Sequence, residues 1–345
     1  MAVTIKDIAK LANVSITTVS RVINNKSEGV SEETRNRILQ LVKELGYQPN
    51  AIARGLVTKK TKTIGLIIPD ISNPFFPDLA RGVEDSAHIY GYNVFLCNTD
   101  DNLEKESEYI NALKEKYVDG IIFTSSSIPK HEHIMELVKS GIPIVIMDRR
   151  VDSEDIYGVF LDNYEGGYIA TKHLIDLGHK KIGCITGPLY TKSAKERLEG
   201  YKKALVENGM DVDERLIFEG DYKINSGIIG TEKLLGNNEN ITAIFACNDL
   251  MAYGAYKTIR SYGYKIPDDI SIVGFDDIQL SQILEPQLTT IKQPAYDMGL
   301  TAARMLIKLV EGKKLKKKII NFKPQLIIRQ STKKYWLKVV KRWRR

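Results

Sequence analysis

Apolar residues follow two rhythms along this chain: up to Gly46 they recur every three or four positions, and from Thr63 short apolar runs alternate with amphipathic stretches. In the first part, Thr4 with Asp7 three positions on has the form of a capping box, and Ile5, Ile8 and Ala9 continue at helical spacing to Ala12. Asn13-Val14 breaks that helix, Ser15 caps a second, and Val19, Val22 and Ile23 give the second a stripe to bury. A third helix is capped at Ser31, with Ile38, Leu41, Val42 and Leu45 facing inward and Gly46 as its stop. The residues off the second stripe, Ile16, Thr17, Ser20 and Arg21, are small or donor-bearing, the kind that lie against base edges and phosphates. A three-helix surface appendage is the plainer alternative.

Pro49 and Asn50 would then start a helix of barely two turns, followed by a polar linker at 57–62. A helix so short needs outside support. DNA can supply it, with Arg54 near phosphates and Leu56 as an apolar wedge in the minor groove, whereas an ordinary linker needs no such partner.

Beyond Thr63, strand-like runs occur at 64–68, 93–97, 120–124, 143–147, 157–161, 181–185, 215–218, 241–246 and 270–274, with helical patterns such as 75–90, 105–117, 165–177, 195–208 and 249–262 between many of them. This alternation predicts an α/β body of parallel sheets, its paired halves forming two lobes. Ligands of open parallel sheets bind beyond the carboxyl ends of the strands. The residues there are Asn73, Phe75 and Phe76, then Asp148 and Arg149, then Asn248 and Asp249, then Asp276. Carboxylates and a guanidinium pair with vicinal hydroxyls while aromatic faces cover C–H surfaces, so the set suits a sugar. Taken singly, the phenylalanines could be core and Asp148-Arg149 an exposed pair.

Composition refines this picture. With 345 residues, 43% apolar and 27% charged, the chain has room for a large core or two and is too apolar to be disordered. The formal net charge of +7 is uneven: residues 1–60 hold ten basic and five acidic side chains, residues 333–345 hold seven basic and none acidic, and the remainder is net acidic. Positive ends suggest nucleic acid as a partner. The start has no apolar signal region, no 18 apolar residues run together, and Cys97, Cys184 and Cys247 sit singly in apolar runs, so a cytoplasmic protein without disulfides is expected. Enzyme signatures are missing: there is no phosphate-binding loop, no nucleophile elbow and no dinucleotide fingerprint. His131-Glu132-His133 is the one compact metal-like cluster, and imidazoles two positions apart on a helix diverge, so neither metal nor catalytic residue is expected. The lysine-rich run at 313–318 reads as a solvated turn, with partner docking as the lesser alternative.

The blocks Ile5 to Asn24, Pro49 to Leu56, Gly274-Phe275-Asp276-Asp277 and Leu288-Thr289-Thr290-Ile291-x-Gln293-Pro294 resemble the LacI/GalR repressors over residues 3–332. The resemblance implies a helix-turn-helix head (1–48), a hinge helix and linker (49–62), a two-lobed sugar-binding and dimerisation body like the periplasmic binding proteins (63–332), and a basic tail (333–345). It implies a homodimer whose heads read half-sites of a double-stranded operator. By position, Ser15, Ile16, Thr17, Arg21 and Asn24 would contact the major groove and backbone, Thr4, Asn50, Ala53 and Arg54 would serve the backbone or hinge, and Leu56 would enter the minor groove. Within the family the cleft is similar to that of the ribose repressors and the periplasmic ribose-binding protein, with Asn73, Phe75, Phe76, Asp148, Arg149, Arg197, Tyr222, Asn248, Asp276 and Gln293 on ribose-contacting positions. Tyr222 and Thr124 depart from that pattern, where the binding protein has Phe and Asn.

The expected function is therefore a repressor released from its operator by a sugar inducer, with ribose first, no other cofactor and no membrane partner. Arg304 matches a position with which a catabolite regulator of the family meets a phosphorylated phosphocarrier protein, so a corepressor-driven regulator is the alternative. A cytoplasmic sugar-binding or sugar-acting protein is the rival from another class. The tail, with both tryptophans of the chain, could be an amphipathic basic helix, a nonspecific DNA or membrane-surface contact, or an end with no role.

Overall fold

A computed structural model describes residues 3–24, 28–47, 60–124, 137, 140–150, 156–236 and 240–335. Asn50, Ala53, Arg54 and Leu56, the 131–133 cluster and tail residues 336–345 lie outside the described residues.

Residues up to Thr61 form one unit and Lys62 onward another. In the first, α1 (Ile5–Leu11), α2 (Ile16–Ile23) and α3 (Glu32–Glu44) close on Ile8, Ala9, Ala12, Val19, Val22 and Ile38. Their starts follow the capping chemistry. The Asp7 carboxylate accepts from the Thr4 N–H at 2.9 Å and the Thr4 hydroxyl at 2.7 Å, which holds its pKa below the ordinary value. Ser15 Oγ accepts from the Thr18 N–H at 3.0 Å, and Ser31 Oγ from the Thr34 N–H at 3.3 Å. The tight turn between α1 and α2 puts Asn13 at φ +51°, a conformation asparagine tolerates better than most residues. One inward expectation fails: Leu45 is 37% exposed, because α3 ends at Glu44 and Gly46, at φ +60°, turns the chain away from the small core.

In the second unit the apolar runs become twelve described strands in two sheets of six. The first sheet has the order β11-β5-β4-β3-β1-β2, built from β1 (Thr63–Ile68), β2 (Asn93–Asn98), β3 (Gly120–Phe123), β4 (Ile144–Met147), β5 (Tyr157–Leu161) and β11 (Ile319–Phe322), all parallel. The second has the order β12-β10-β9-β8-β6-β7, from β6 (Ile182–Thr186), β7 (Ile217–Glu219), β8 (Ala243–Ala246), β9 (Ser271–Asp276), β10 (Thr289–Lys292) and β12 (Gln325–Ile327), with only β12 antiparallel. Nine runs were expected; β10, β11 and β12 are additional. These three are short, and β11 and β12 are half-exposed edges, so none carries the continuous apolar signal of a covered parallel strand. The other edge, β2, leaves Phe95 and Leu96 more than 40% exposed.

Helices α4 (Phe75–Ile89), α5 (Leu103–Glu115) and α10 (Ala295–Val310) cover the first sheet, and α6 (Asn163–Asp176), α7 (Lys192–Glu207), α8 (Ile224–Gly236) and α9 (Asp249–Ser261) cover the second. Among the described residues no helix is long and apolar enough to cross a membrane. The chain passes between the lobes three times, from β5 to α6 at Asp162, from β10 to α10 at Gln293-Pro294, and from β11 to β12 at Lys323-Pro324. Residues 333–335 are tied to the second lobe. The Lys333 N–H donates to Ser271 Oγ at 3.1 Å, the Tyr335 N–H to the Leu177 carbonyl at 2.7 Å, and His179 Nε2 to the Lys333 carbonyl at 3.1 Å while its Nδ1 accepts from Thr242 Oγ1.

Two tests follow from these contacts. Helices α6 and α7 touch through reciprocal glycines, and a Cβ on Gly167 would stand 2.1 Å from the Arg197 carbonyl oxygen. Gly167→Ala is expected to destabilise the body by about 1–3 kcal/mol, read as a lower urea midpoint, and an unchanged midpoint would contradict the close approach. Burial lowers the His179 pKa to about 4. Between pH 6.5 and 4 the unfolded chain therefore binds a proton that the folded chain does not, so stability falls as pH drops through that window. His179→Gln should flatten the pH dependence of the urea midpoint there, and an unaltered slope would remove His179 as its source.

Candidate functional site: the interlobe cleft and the head surface

The carboxyl ends of both sheets face one cleft, with about 480 Å³ of space unfilled by protein when its open mouth is included. All ten residues on ribose-contacting positions line it, joined by Asp70, Asp101, Ser193, Asp221 and Lys223, whereas Asp249, also expected there from its place at a strand end, does not: its buried carboxylate accepts instead from the Ile278 N–H, Ser281 Oγ and Thr290 Oγ1. Thr124, at the end of β3, is buried but is not among the lining residues.

From the first lobe, the β1–α4 turn supplies Asn73, whose Oδ1 accepts from the Phe75 N–H at 3.2 Å just ahead of α4. Phe75 and Phe76 follow, their rings 5.1 Å apart and nearly perpendicular. After β4, Asp148 sits at φ +62° and Arg149 donates to Asp101 Oδ1 at 2.6 Å. Burial raises the Asp148 pKa, against the pull of Arg149 and Arg197. Burial also opposes the Arg149 charge, but Asp101 and Asp148 more than offset it and hold its pKa above the ordinary value.

From the second lobe, Arg197 projects from α7, where its Nε donates to Asn163 Oδ1 at 2.8 Å and Nη1 to the Cys247 carbonyl at 2.6 Å. Its guanidinium lies 3.7 Å from the Phe275 ring centre, with Asp276 at 3.9 Å. Asn248 caps α9 by accepting from the Met251 N–H and donates to the Tyr222 carbonyl at 2.8 Å. Tyr222 packs its ring over Gly187, where a Cβ would come within 2.0 Å of it. Burial pushes the Asp276 carboxyl well up, with Arg197 pulling it down, and Gln293 Nε2 donates to Asp276 at 2.6 Å from the second crossing.

Five lining residues went unnoticed in the sequence. Asp101, Ser193, Asp221 and Lys223 follow β2, β6 and β7, so inspecting the ends of those strands as well would have found them. Asp70 closes a turn after β1 by accepting from the Ser72 N–H at 2.8 Å.

In the head, Ser15, Ile16, Thr17, Arg21 and Asn24 are exposed together on and beside α2, as is Thr4 at the start of α1. Ile16, 45% exposed, is an apolar residue at the front of α2 with no core to fill. Among the described residues no group of three or more His, Cys, Asp or Glu side chains is arranged to hold a metal, and the three cysteines are buried and free.

Comparison with known proteins matches residues 4–50 to the bacterial regulatory proteins of the lacI family, and residues 61–333 to the periplasmic binding proteins and sugar binding domain of the LacI family. The chain is 45% identical to a ribose operon repressor of Halalkalibacterium halodurans, over 96% of this chain and 97% of that one. It is 43% identical to catabolite control protein A of Priestia megaterium, over 96% and 100%. Among solved structures, the lac repressor dimer bound to operator and the anti-inducer ONPF is similar at a TM-score of 0.87 and 30% identity, over 96% of this chain and all of that one. The chain belongs to the LacI family of bacterial regulatory proteins, as a DNA-binding transcriptional repressor under small-molecule control.

Proposed function

We propose that this repressor is released from its operator by a monosaccharide, with ribose as the inducer. The observation that supports this is the convergence of ten residues of sugar-binding character, drawn from both lobes and the second crossing, on one cleft. A ligand that touches both lobes binds the closed arrangement better than the open one, and only such differential affinity can shift the protein between states. Closure then alters the pairing of two copies of the chain. The exposed Phe95 and Leu96 on the β2 edge, with Ile89 and Tyr90 beside them, suit a second copy. The α2 residues read each half-site, and Asn50, Ala53, Arg54 and Leu56, which lie outside the described residues, are assigned by the family resemblance to the DNA backbone or hinge, with Leu56 in the minor groove.

A second reading keeps one specific support. The 43% identity to catabolite control protein A and the exposure of Arg304 on α10 fit a phosphorylated phosphocarrier protein as corepressor. The two readings predict opposite signs, since the sugar lowers operator affinity and the partner protein raises it.

Titrating D-ribose into a complex with labelled operator is expected to weaken DNA binding by about 5- to 150-fold at saturation. Undiminished binding at saturating ribose refutes ribose as inducer. In Arg149→Ala, the buried Asp148 and the half-buried Asp101 lose the Arg149 cation, so sugar affinity should fall by about a hundredfold or more while operator binding persists. Loss of operator binding in that variant, measured by the same titration, would mean that Arg149 acts on the fold and not on the sugar.

A further inference from the structure

Five aspartates line the cleft, Asp70, Asp101, Asp148, Asp221 and Asp276, against two arginines and one lysine. Both arginines are already engaged within the protein. Arg149 is ion-paired with Asp101, and Arg197 donates to Asn163 and to the Cys247 carbonyl with Asp276 close by. Lys223 is exposed at the mouth, two residues from Asp221. Even with Asp148 and Asp276 both protonated, the lining has no positive charge in excess. A phosphate group placed here would lose its hydration without gaining a cation, which is strongly unfavourable. An uncharged polyol meets no such penalty, and its hydroxyls can donate to the carboxylates and accept from the guanidinium groups.

Two polar atoms of the lining have no hydrogen-bond partner although both are shielded from solvent: the Tyr222 hydroxyl and Gln293 Oε1. Ser193 lies near enough to Tyr222 to bias its ionisation, but not at bonding geometry. Buried polar groups are satisfied in nearly all folded proteins, so two orphans in one cleft point to a ligand that completes them. Gln293 Oε1 can only accept, and therefore requires a donor such as a hydroxyl. The Tyr222 hydroxyl can accept or donate, and Tyr222 is held at φ +67° in the turn after β7 by the Asn248 side chain on its carbonyl.

We propose that the cleft takes an uncharged monosaccharide and rejects its phosphate esters, and that the Tyr222 hydroxyl is a specificity-determining group that reads one ring hydroxyl. This rests on the sugar-effector reading above and deepens it by fixing the ligand's charge and naming a residue that selects it. Isothermal titration calorimetry on the full chain at roughly physiological ionic strength tests both parts, using D-ribose, D-allose, D-glucose, ribose 5-phosphate and glucose 6-phosphate against wild type and Tyr222→Phe. A sugar that binds should do so about a hundredfold more tightly than its phosphate ester. Tyr222→Phe should lower the affinity of that sugar about tenfold and raise the Tm of the ligand-free protein, since the orphan hydroxyl is gone. A phosphate ester that binds as well as its parent sugar overturns the charge argument, and unchanged affinity in Tyr222→Phe overturns the role of that hydroxyl. Binding of D-allose or D-glucose with this pattern, but not of D-ribose, removes ribose as the effector and leaves this inference standing. Failure of every uncharged sugar to bind overturns both.

Discussion

A guanidinium that is 4% exposed between two lobes must have its charge answered on the spot, and in this body most of the cleft is arranged around that requirement. Arg197 reaches Asn163 at the first crossing, the carbonyl at the end of β8 immediately before Asn248, and the carboxylate at the end of β9. Its flat face lies on Phe275 and its far side on Tyr222, 5.9 Å away. One side chain thereby fixes three separate strand ends relative to each other. The α6–α7 contact sets where Arg197 starts from, and that contact depends on Gly167 and Gly200 letting two helix backbones meet. Packing in the second lobe and the shape of the cleft are therefore one problem.

Much of this was legible in the sequence because it is local. Thr4 with Asp7, Ser15 and Ser31 announce helix starts through chemistry within three residues, and the nine apolar runs announce strands, of which all but the edges β2 and β7 are covered on both faces. The ten cleft residues were identified by strand-end logic together with the family resemblance, and they do gather in one place. What was not legible depends on distant partners. β12 exists because Gln325, Leu326 and Ile327 pair with β10 across more than thirty residues, and its own apolar run, Leu326 to Ile328, is only three residues long. Asp101 matters through Arg149, 48 residues away, and nothing in its neighbourhood signals that bond. The net charge shows the opposite failure: the tail's seven basic residues carry a charge equal to the whole chain's +7, so the number that hinted at DNA owes little to the head that belongs to the DNA-binding family.

Backbone strain at the strand ends has the same origin as the cleft itself. Asp148, Tyr222, Asp276 and Asp277 all have positive φ, at +62°, +67°, +122° and +60°. Glycine would relieve each of these positions but would leave no side chain facing the ligand space or the loop beside it. Asp277 shows how the surroundings enforce such a conformation: its carboxylate accepts from Arg329 Nη2 at 2.5 Å, and Arg329 also donates to the Leu288 carbonyl. Strain of this sort persists only where neighbouring bonds over-determine it.

The three crossings give that arrangement its consequence. Gln293 is both a crossing residue and a cleft residue, and it holds Asp276 with one end of its amide while the other end is buried without a hydrogen-bond partner. Asn163, one residue past the first crossing, holds Arg197. A ligand bonded to Gln293 as proposed above would act directly on one of the segments about which the lobes turn, without a relay through either core. Packed cores resist continuous deformation, so any turn of one lobe against the other would fall on the backbone torsions at residues 162, 293–294 and 323–324, where Pro294 and Pro324 hold φ. Prolines at Pro294 and Pro324 restrict the crossings to a narrow range of paths, which favours two defined lobe arrangements over a continuum. That is the property a repressor needs if one bound molecule is to decide between holding DNA and releasing it.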